Sequence, residues 1–221
     1  ARGAVVTAVE ERTGALEELV RVLGAEHVAV DEAARRFAAA DFADRVLAVP
    51  RAVVRPGSTA EVAAVVGTCR AHGLSLAVRG GGMSYTLAHL PASPESVVVD
   101  VSRLDRVVEV NAADRYVVVE PVVTWARLSE ALTGTGAWVP HLGTLSGLHA
   151  TVGGGLSQQA TGIGQGFLTD YVLGLDVVLG DGRVVRTGSG AAHGTPPVLR
   201  EFGPDLSGLF LCDSGALGIK T

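Results

Sequence analysis

The sequence predicts an α+β fold, in which a strand–helix–strand unit precedes a part that is mostly sheet. Three observations carry this. Ala52-Val53-Val54-Arg55 and Leu74 to Val78 are short apolar strands that bracket a segment of helical period. Val97 to Val101 is a third strand. Further on, Val107 to Asn111, Tyr116 to Glu120, Val172 to Leu179 and Arg183 to Thr187 read as strands separated by turn residues.

Each element has a local reason. The first ~45 residues are rich in Ala, Glu and Arg and read as helical, with Leu16, Leu19, Val20 and Leu23 as an apolar stripe that Gly24 ends. No chemistry is legible there, and residues 1–45 are expected to be a packing arm before a domain at 46–221. Pro56-Gly57 stops the first strand, and Ser58-Thr59-Ala60-Glu61 fits a capping box at a helix start. Val62, Val65, Val66 and Cys69 form that helix's buried face, with Gly73 as its C-cap. Ala112-Ala113-Asp114-Arg115 is a polar turn, and Thr124 to Leu132 reads as a helix with Trp125, Leu128 and Leu132 inward. Asp181-Gly182 between apolar strands predicts a hairpin with a two-residue turn at positive φ. A short helix near Asp205 to Leu211 and a strand at Gly218 to Thr221 close the sequence. Trp125 and Trp138 read as core.

Composition excludes several function classes. Hydrophobic residues are 48% and charged residues 19%, with 29 glycines, which is an ordinary globular balance. The formal charge of −5 argues against a nucleic-acid or anionic-membrane partner, which would select a clustered basic surface. It leaves room for an anionic cofactor held by backbone N–H groups. Cys69 and Cys212 are far apart in apolar settings and are expected to be buried, reduced thiols. None of the histidines His27, His72, His89, His141, His149 and His193 forms a metal-ligand pair, so no metal is expected. No apolar stretch would span a bilayer, and Ala1-Arg2-Gly3 lacks an initiator Met and a signal core. The expectation is a cytoplasmic, trimmed chain.

The chemistry points to three glycine-rich segments. Arg79-Gly80-Gly81-Gly82-Met83-Ser84-Tyr85 starts where a strand ends, which is where α/β units place ligand loops. Its successive N–H groups can form a concave anion nest suited to a pyrophosphate, although glycines alone also fit a plain tight turn. No lysine follows them, which excludes a Walker-type loop, and the spacing fails the dinucleotide fingerprint of nicotinamide enzymes. Ala150-Thr151-Val152-Gly153-Gly154-Gly155-Leu156-Ser157 opens a helical turn, where glycines would let a ligand reach exposed donors. Thr151, Ser157 and Thr161 add hydroxyls. Asp213-Ser214-Gly215-Ala216-Leu217-Gly218-Ile219 is a small-residue turn entering the last strand. Arg79 could reach a phosphate or pair with an acid to shape the loop. Tyr85, His89 and His149 could line a site or be structural.

Together with Val172 to Val185 and Gly203 to Phe210, these segments make Ala52 to Thr221 resemble the FAD-binding domain of the vanillyl-alcohol-oxidase (PCMH-type) superfamily. The similarity is closest to FAD-linked oxidases of the glycolate-oxidase and D-lactate-dehydrogenase type. The resemblance implies an α+β, PCMH-type FAD-binding fold of two α/β subdomains, about 46–101 and 102–221. The first is a small βαβ sheet, the second a larger, mainly antiparallel sheet with helices, and FAD extends between them. It implies pyrophosphate binding by Gly80, Gly81, Gly82, Met83 and Ser84, with Arg79 and Tyr85 beside them. It places Ser146, Thr151, Gly153, Gly154, Ser157 and Thr161 along the flavin and ribityl region, and Gly218 and Ile219 at the adenine.

The implied activity is FAD-dependent oxidation of a small alcohol or 2-hydroxy acid. The other reading is a flavin-binding module without catalysis of its own. Three departures modify the expectation. Met83 stands where some relatives have a histidine bonded to the flavin, so FAD is expected to be non-covalent. Ser214 and Ala216 stand at the Glu and Thr places of a common Ser-Glu-Gly-Thr-Leu-Gly motif. The sequence stops at Thr221, about where the family's substrate-binding cap begins, so the cap, the small-molecule substrate site and the catalytic residues are expected outside it. A homo-oligomer is left open.

Overall fold

The computed structural model describes residues 14–142, 146–164, 166–194, 196–201 and 203–221. The first part of the expected helical arm, residues 1–13, and the side chains of His141 and His193 lie outside that description. In the described chain, a first helix, α1 (residues 14–23), is followed by β1 (Val28–Ala29) and α2 (Glu32–Ala39). The strand–helix–strand unit comprises β2 (Ala52–Val54), α3 (Thr59–Ala71) and β3 (Ser75–Arg79), after which comes β4 (Ser96–Asp100).

These four strands form one sheet in the order β1-β2-β4-β3. β2 and β3 are therefore not neighbours. β4 runs parallel between them, with Val98 opposite Val53 on one side and Ala77 on the other. The central position explains the unbroken run Val97-Val98-Val99, which is fully buried. Val97 and Val99 join a core with Leu19 and Leu23 of α1 and Val62, Val65, Val66 and Cys69 of α3. Val98 faces the other way, with Val53 and Ala77, onto Ala38 of α2. One strand thus feeds two layers by simple alternation.

The caps follow the sequence closely. The Ser58 hydroxyl accepts from Glu61 N–H at 3.1 Å, while the Glu61 carboxylate reaches back to Gly57 N–H at 2.7 Å, one residue before the expected box partner. Gly73 has φ 64 and follows the C-cap, His72. The stretch expected to be a helical arm also contains β1, the edge strand paired antiparallel to β2. Glu18 ties α1 to α3 by accepting from Thr68 Oγ1 and pairing with His72 Nε2, each at 3.1 Å.

The antiparallel part is divided. β5 (Val107–Asn111) pairs with β6 (Tyr116–Val119), and α4 (Trp125–Leu132) follows, capped by the Thr124 hydroxyl. A short pair joins β7 (His141–Leu142) to β8 (Ile163–Gly164), with α5 (Val152–Gln158) between them in sequence. A three-stranded sheet in the order β10-β9-β11 contains β9 (Asp176–Val178), β10 (Val184–Arg186) and β11 (Ile219–Lys220). The four-residue helix α6 (Gly190–His193) and a 3-10 turn at Ser207–Phe210 lie between β10 and β11. Val178 and Ile219 enter the same core as α3, so the two main sheets share one hydrophobic interior.

Several expectations are corrected. The expected strand from Val172 begins only at Asp176: Leu175 O still accepts Thr187 N–H at 2.9 Å, but Leu175 N–H goes to the buried Thr187 hydroxyl at 2.9 Å, so the reciprocal ladder bond is not made. The 180–182 turn has three residues between Leu179 and Arg183, and Gly182 alone among them has positive φ, 85. Trp138 is 73% exposed, not core. Both cysteines are free, but only Cys69 is buried, where burial pushes its thiol up to about 12; Cys212 is exposed. Among the described residues no cluster of metal-ligating side chains occurs, and no helix is long and apolar enough to cross a membrane.

Leu19 is fully buried against α3 and β4. Leu19→Ala should lower unfolding free energy by about 2–5 kcal/mol in urea titrations, as for other buried leucines. A loss below about 0.5 kcal/mol would place α1 outside the cooperative core.

Candidate cofactor-binding site

The three glycine-rich segments, distant in sequence, meet on one cavity of about 610 Å³. That is ample for an extended small-molecule cofactor. Gly80, Gly81, Gly82, Met83, Ser84 and Tyr85 line it from the loop after β3. Ser146, Thr151, Gly153, Gly154, Ser157 and Thr161 line it from α5 and its flanks, and Gly218 and Ile219 from β11 and the residue before it. Of the residues singled out in the sequence, Arg79 does not line it. Its guanidinium turns away to donate to the Ala40 carbonyl at 2.9 Å and lies 5.3 Å from the centre of the Phe37 ring. Burial holds its pKa below the ordinary arginine value. A side chain on Gly82, at φ 67, would strike that guanidinium, so Arg79 shapes the loop from behind.

The loop is seated by backbone contact. A Cβ on Gly81 would collide with the His149 carbonyl oxygen, and one on Gly80 would meet the Thr151 hydroxyl at 3.3 Å. His149 itself is exposed and does not line the cavity. Beyond the glycines, the Ser84 and Thr86 hydroxyls are 2.9 Å apart, and Thr86 donates to Gln158 Oε1 at 2.9 Å. The Tyr85 carbonyl accepts from Arg45. The loop is therefore tied at one end to α5 and at the other to the first sheet.

Backbone accounting separates the two main motifs. Among the described residues, the N–H groups of Gly80, Gly81, Gly82, Met83 and Ser84 have no protein acceptor. Five successive free donors on a concave wall fit an anionic group such as a diphosphate. At α5 the reverse holds. Val152 N–H donates to Val123 O, Gly153 to Pro121 O, Gly154 to Thr151 Oγ1 and Gly155 to Thr151 O, at 2.8–3.2 Å. The expectation of exposed donors at that helix start is corrected: its amides are already engaged. Gly153 is needed instead because a Cβ there would lie 2.6 Å from Pro121 Cβ. Gln159, at φ 46, ends α5, so Thr161 is not on the helix with Ser157.

The sequence reading missed several lining groups. His89, only hinted at, is buried on this wall, and no hydrogen-bond partner for its Nε2 occurs among the described residues. Burial, then the nearby Arg79 charge, lowers its pKa and so favours the neutral imidazole. Thr86 and Gln158 gave no signal beyond their polarity. Trp125, read as core, packs beside Leu156 and Leu168 and also lines the cavity. Lys220 lines it as well. A second cavity, of about 680 Å³, lies between the β5–β6 pair, α4 and residues 168–176, and shares Pro121, Trp125, Gly153 and Lys220 with the first.

A strand-to-glycine-loop cavity with free backbone donors, placed between a mixed, mostly parallel sheet and an antiparallel part, defines a nucleotide-cofactor-binding α+β domain. Residues 50–188 match the FAD binding domain family, and the chain belongs to it. It is 27% identical over 208 residues to glycolate oxidase subunit GlcD of Bacillus subtilis, covering 93% of this chain and 43% of that protein. It is 32% identical over 212 residues to 1'-carboxy-chondrochloren decarboxylase of Chondromyces crocatus (94% and 39%). It is 31% identical over 217 residues to probable mitochondrial D-lactate dehydrogenase of Danio rerio (95% and 42%). The fold is that of alkyldihydroxyacetonephosphate synthase, with TM-score 0.81 at 22% identity over 95% of this chain and 39% of that one. The chain spans about two fifths of the length of these relatives.

Gly81→Ala should unseat the loop from the His149 carbonyl and weaken FAD retention about tenfold or more, worth ~1.4 kcal/mol. Gly80→Ala meets only the Thr151 hydroxyl, at 3.3 Å, a tight contact that a shift of a few tenths of an ångström relieves, so it should retain most of its flavin. Visible absorbance per protein after purification checks both, and equal flavin content in the two variants would contradict the seating argument.

Proposed function

We propose that this chain is the FAD-binding part of an oxidoreductase that oxidises the CH–OH group of a small 2-hydroxy acid or alcohol. The observation that carries it is the run of five free amides, Gly80 to Ser84, on the 610 Å³ cavity of a chain in the FAD binding domain family. In this reading those amides hold the diphosphate. Ser146, Thr151, Gly153, Gly154, Ser157 and Thr161 form the wall along the flavin and ribityl chain, and Gly218 and Ile219 the adenine end. Arg79 positions the loop without touching the cofactor. Bound FAD supplies the acceptor for the hydride that leaves the substrate's C–H bond.

The substrate class rests on what glycolate oxidase GlcD and the D-lactate dehydrogenase are named for, since glycolate and D-lactate are both 2-hydroxy acids. The chondrochloren relative is named a decarboxylase, so the shared feature is the flavin domain and not one reaction. Placement of the donor carbon, which can be worth ~7–11 kcal/mol of barrier, and removal of the hydroxyl proton are assigned to protein outside these residues. The proposed division is an N-terminal helical arm over residues 1–45, then a FAD-binding domain over 46–221 with subdomains of about 46–101 and 102–221. A cytoplasmic location, a small-molecule partner rather than nucleic acid, and compatibility with a homo-oligomer belong to the same proposal.

The test is anaerobic mixing of the whole, FAD-loaded protein with glycolate, the two lactate enantiomers and benzylic alcohols. Bleaching of the flavin band by a 2-hydroxy acid is expected. Absence of bleaching with every one of them would replace this reading by that of a flavin-binding module.

FAD is proposed to be held without a covalent bond, because Met83 offers no nucleophile at the place where some relatives have a histidine. Acid precipitation should leave the yellow colour in the supernatant. Colour retained in the pellet would contradict this and direct attention to Tyr85, His141 and His149.

A further inference from the structure

Apart from the glycine loop, the cavity wall carries the cationic member of a buried ion pair. Lys220, in β11, has a side chain 7% exposed, and its Nζ donates to Asp213 Oδ1 at 2.8 Å. The Asp213 carboxylate is 2% exposed and is fixed by its own turn, accepting Gly215 N–H at 3.0 Å and Leu217 N–H at 3.2 Å. Asp213 thus has three donors. The ammonium, with three N–H groups, has one acceptor among the described residues. Lys220 lines the cavity and Asp213 does not, so the cationic member of the pair is the one on the wall. Among the described residues that line this cavity, no other is a lysine, arginine, aspartate or glutamate.

Stability is a poor reason for such a pair. Taking two charges out of water costs several kcal/mol per ion, and apolar residues of similar volume commonly do as well or better. The desolvation is visible in Lys220 itself, whose pKa is lowered by burial and pulled back up by Asp213. A single oriented cation in an otherwise uncharged cavity is explained by a ligand that brings negative charge. FAD does so through its diphosphate, and the chain as a whole, at −5, offers that group no attraction.

We propose that Lys220 is the counter-charge for the diphosphate of the bound cofactor, complementing the backbone donors of Gly80 to Ser84, with Asp213 as its buried partner in the flavin-free protein. This rests on the assignment of FAD to this cavity. The sign of each charge then predicts different consequences for the two residues. Lys220→Met leaves the Asp213 carboxylate facing an anion. Asp213→Asn leaves the cation in place. The double variant removes both charges.

FAD titration into the deflavinated whole protein, followed by flavin fluorescence, separates the outcomes. Lys220→Met should raise Kd about tenfold or more, and Asp213→Asn should change it by less than about threefold. The double variant should fall between them, and thermal melts of the flavin-free proteins report any loss of fold. Equal weakening by the two single variants would show a merely structural pair and overturn the proposal, as would a Lys220→Met Kd less than about threefold above wild type. Should Lys220→Met fail to fold because it strands a buried carboxylate, the double variant decides. A Kd raised about threefold or more supports the proposal, and a smaller change overturns it. Failure of the wild-type protein to bind FAD at all would overturn the cavity assignment, and this inference with it.

Discussion

The site depends on one approach of backbone to backbone, that of Gly81 to the carbonyl of His149. No residue with a Cβ can occupy that position without moving the loop or the segment it rests on. The contact joins the end of the first sheet to the chain that leads into α5, and so sets the separation of two walls of the cavity. Thr151 works in the same place. Its hydroxyl caps α5 through Gly154 N–H, lies where it would limit any side chain on Gly80, and its backbone bridges to Thr124. A loop that looks permissive in composition is therefore held tightly. What it gains is a row of N–H groups with no protein acceptor among the described residues.

That row accounts for how an acidic chain can recognise an anion. Amide donors carry partial charge whatever the net charge of the protein, and a run of them on a concave wall concentrates it. The two glycine-rich motifs divide the work. The first leaves its donors free, while the second spends them on Thr151, Pro121 and Val123 and uses its glycines for close packing. Similar composition thus produces one surface suited to bind and another suited to support.

Rigidity behind the loop comes from a shared core. α3 packs on β4 with Val97 and Val99, and the same cluster takes in Val178 of β9 and Ile219 of β11. The strands that present the first and third glycine segments are thereby fixed relative to each other through one hydrophobic interior. Arg79 adds a local brace. Its charge is satisfied by the Ala40 carbonyl and the face of Phe37, on the α2 side of the sheet, away from the cavity.

Local pattern was enough for most elements and for picking out residues that share one cavity. The Ser58 cap, the apolar face of α3, the β5–β6 pair and the glycine segments are all set by interactions between residues near in sequence, so they are legible in it. Fourteen of the fifteen residues assigned there to the cofactor line one cavity. What the sequence could not express is long-range and competitive. Insertion of β4 between β2 and β3, and the loss of β9's expected first residues to the Thr187 hydroxyl, depend on which distant group reaches a backbone donor first. The exposure of Trp138 and the retreat of Arg79 from the cavity follow from which face each element finally buries. Above all, whether a glycine's amide is free or engaged is decided by neighbours far along the chain. By itself the sequence determined that glycines would gather at one strand end, one helix start and one strand entry; only the tertiary structure decided which of their amides are left without a protein acceptor among the described residues, because packing determines which acceptors come within reach of each.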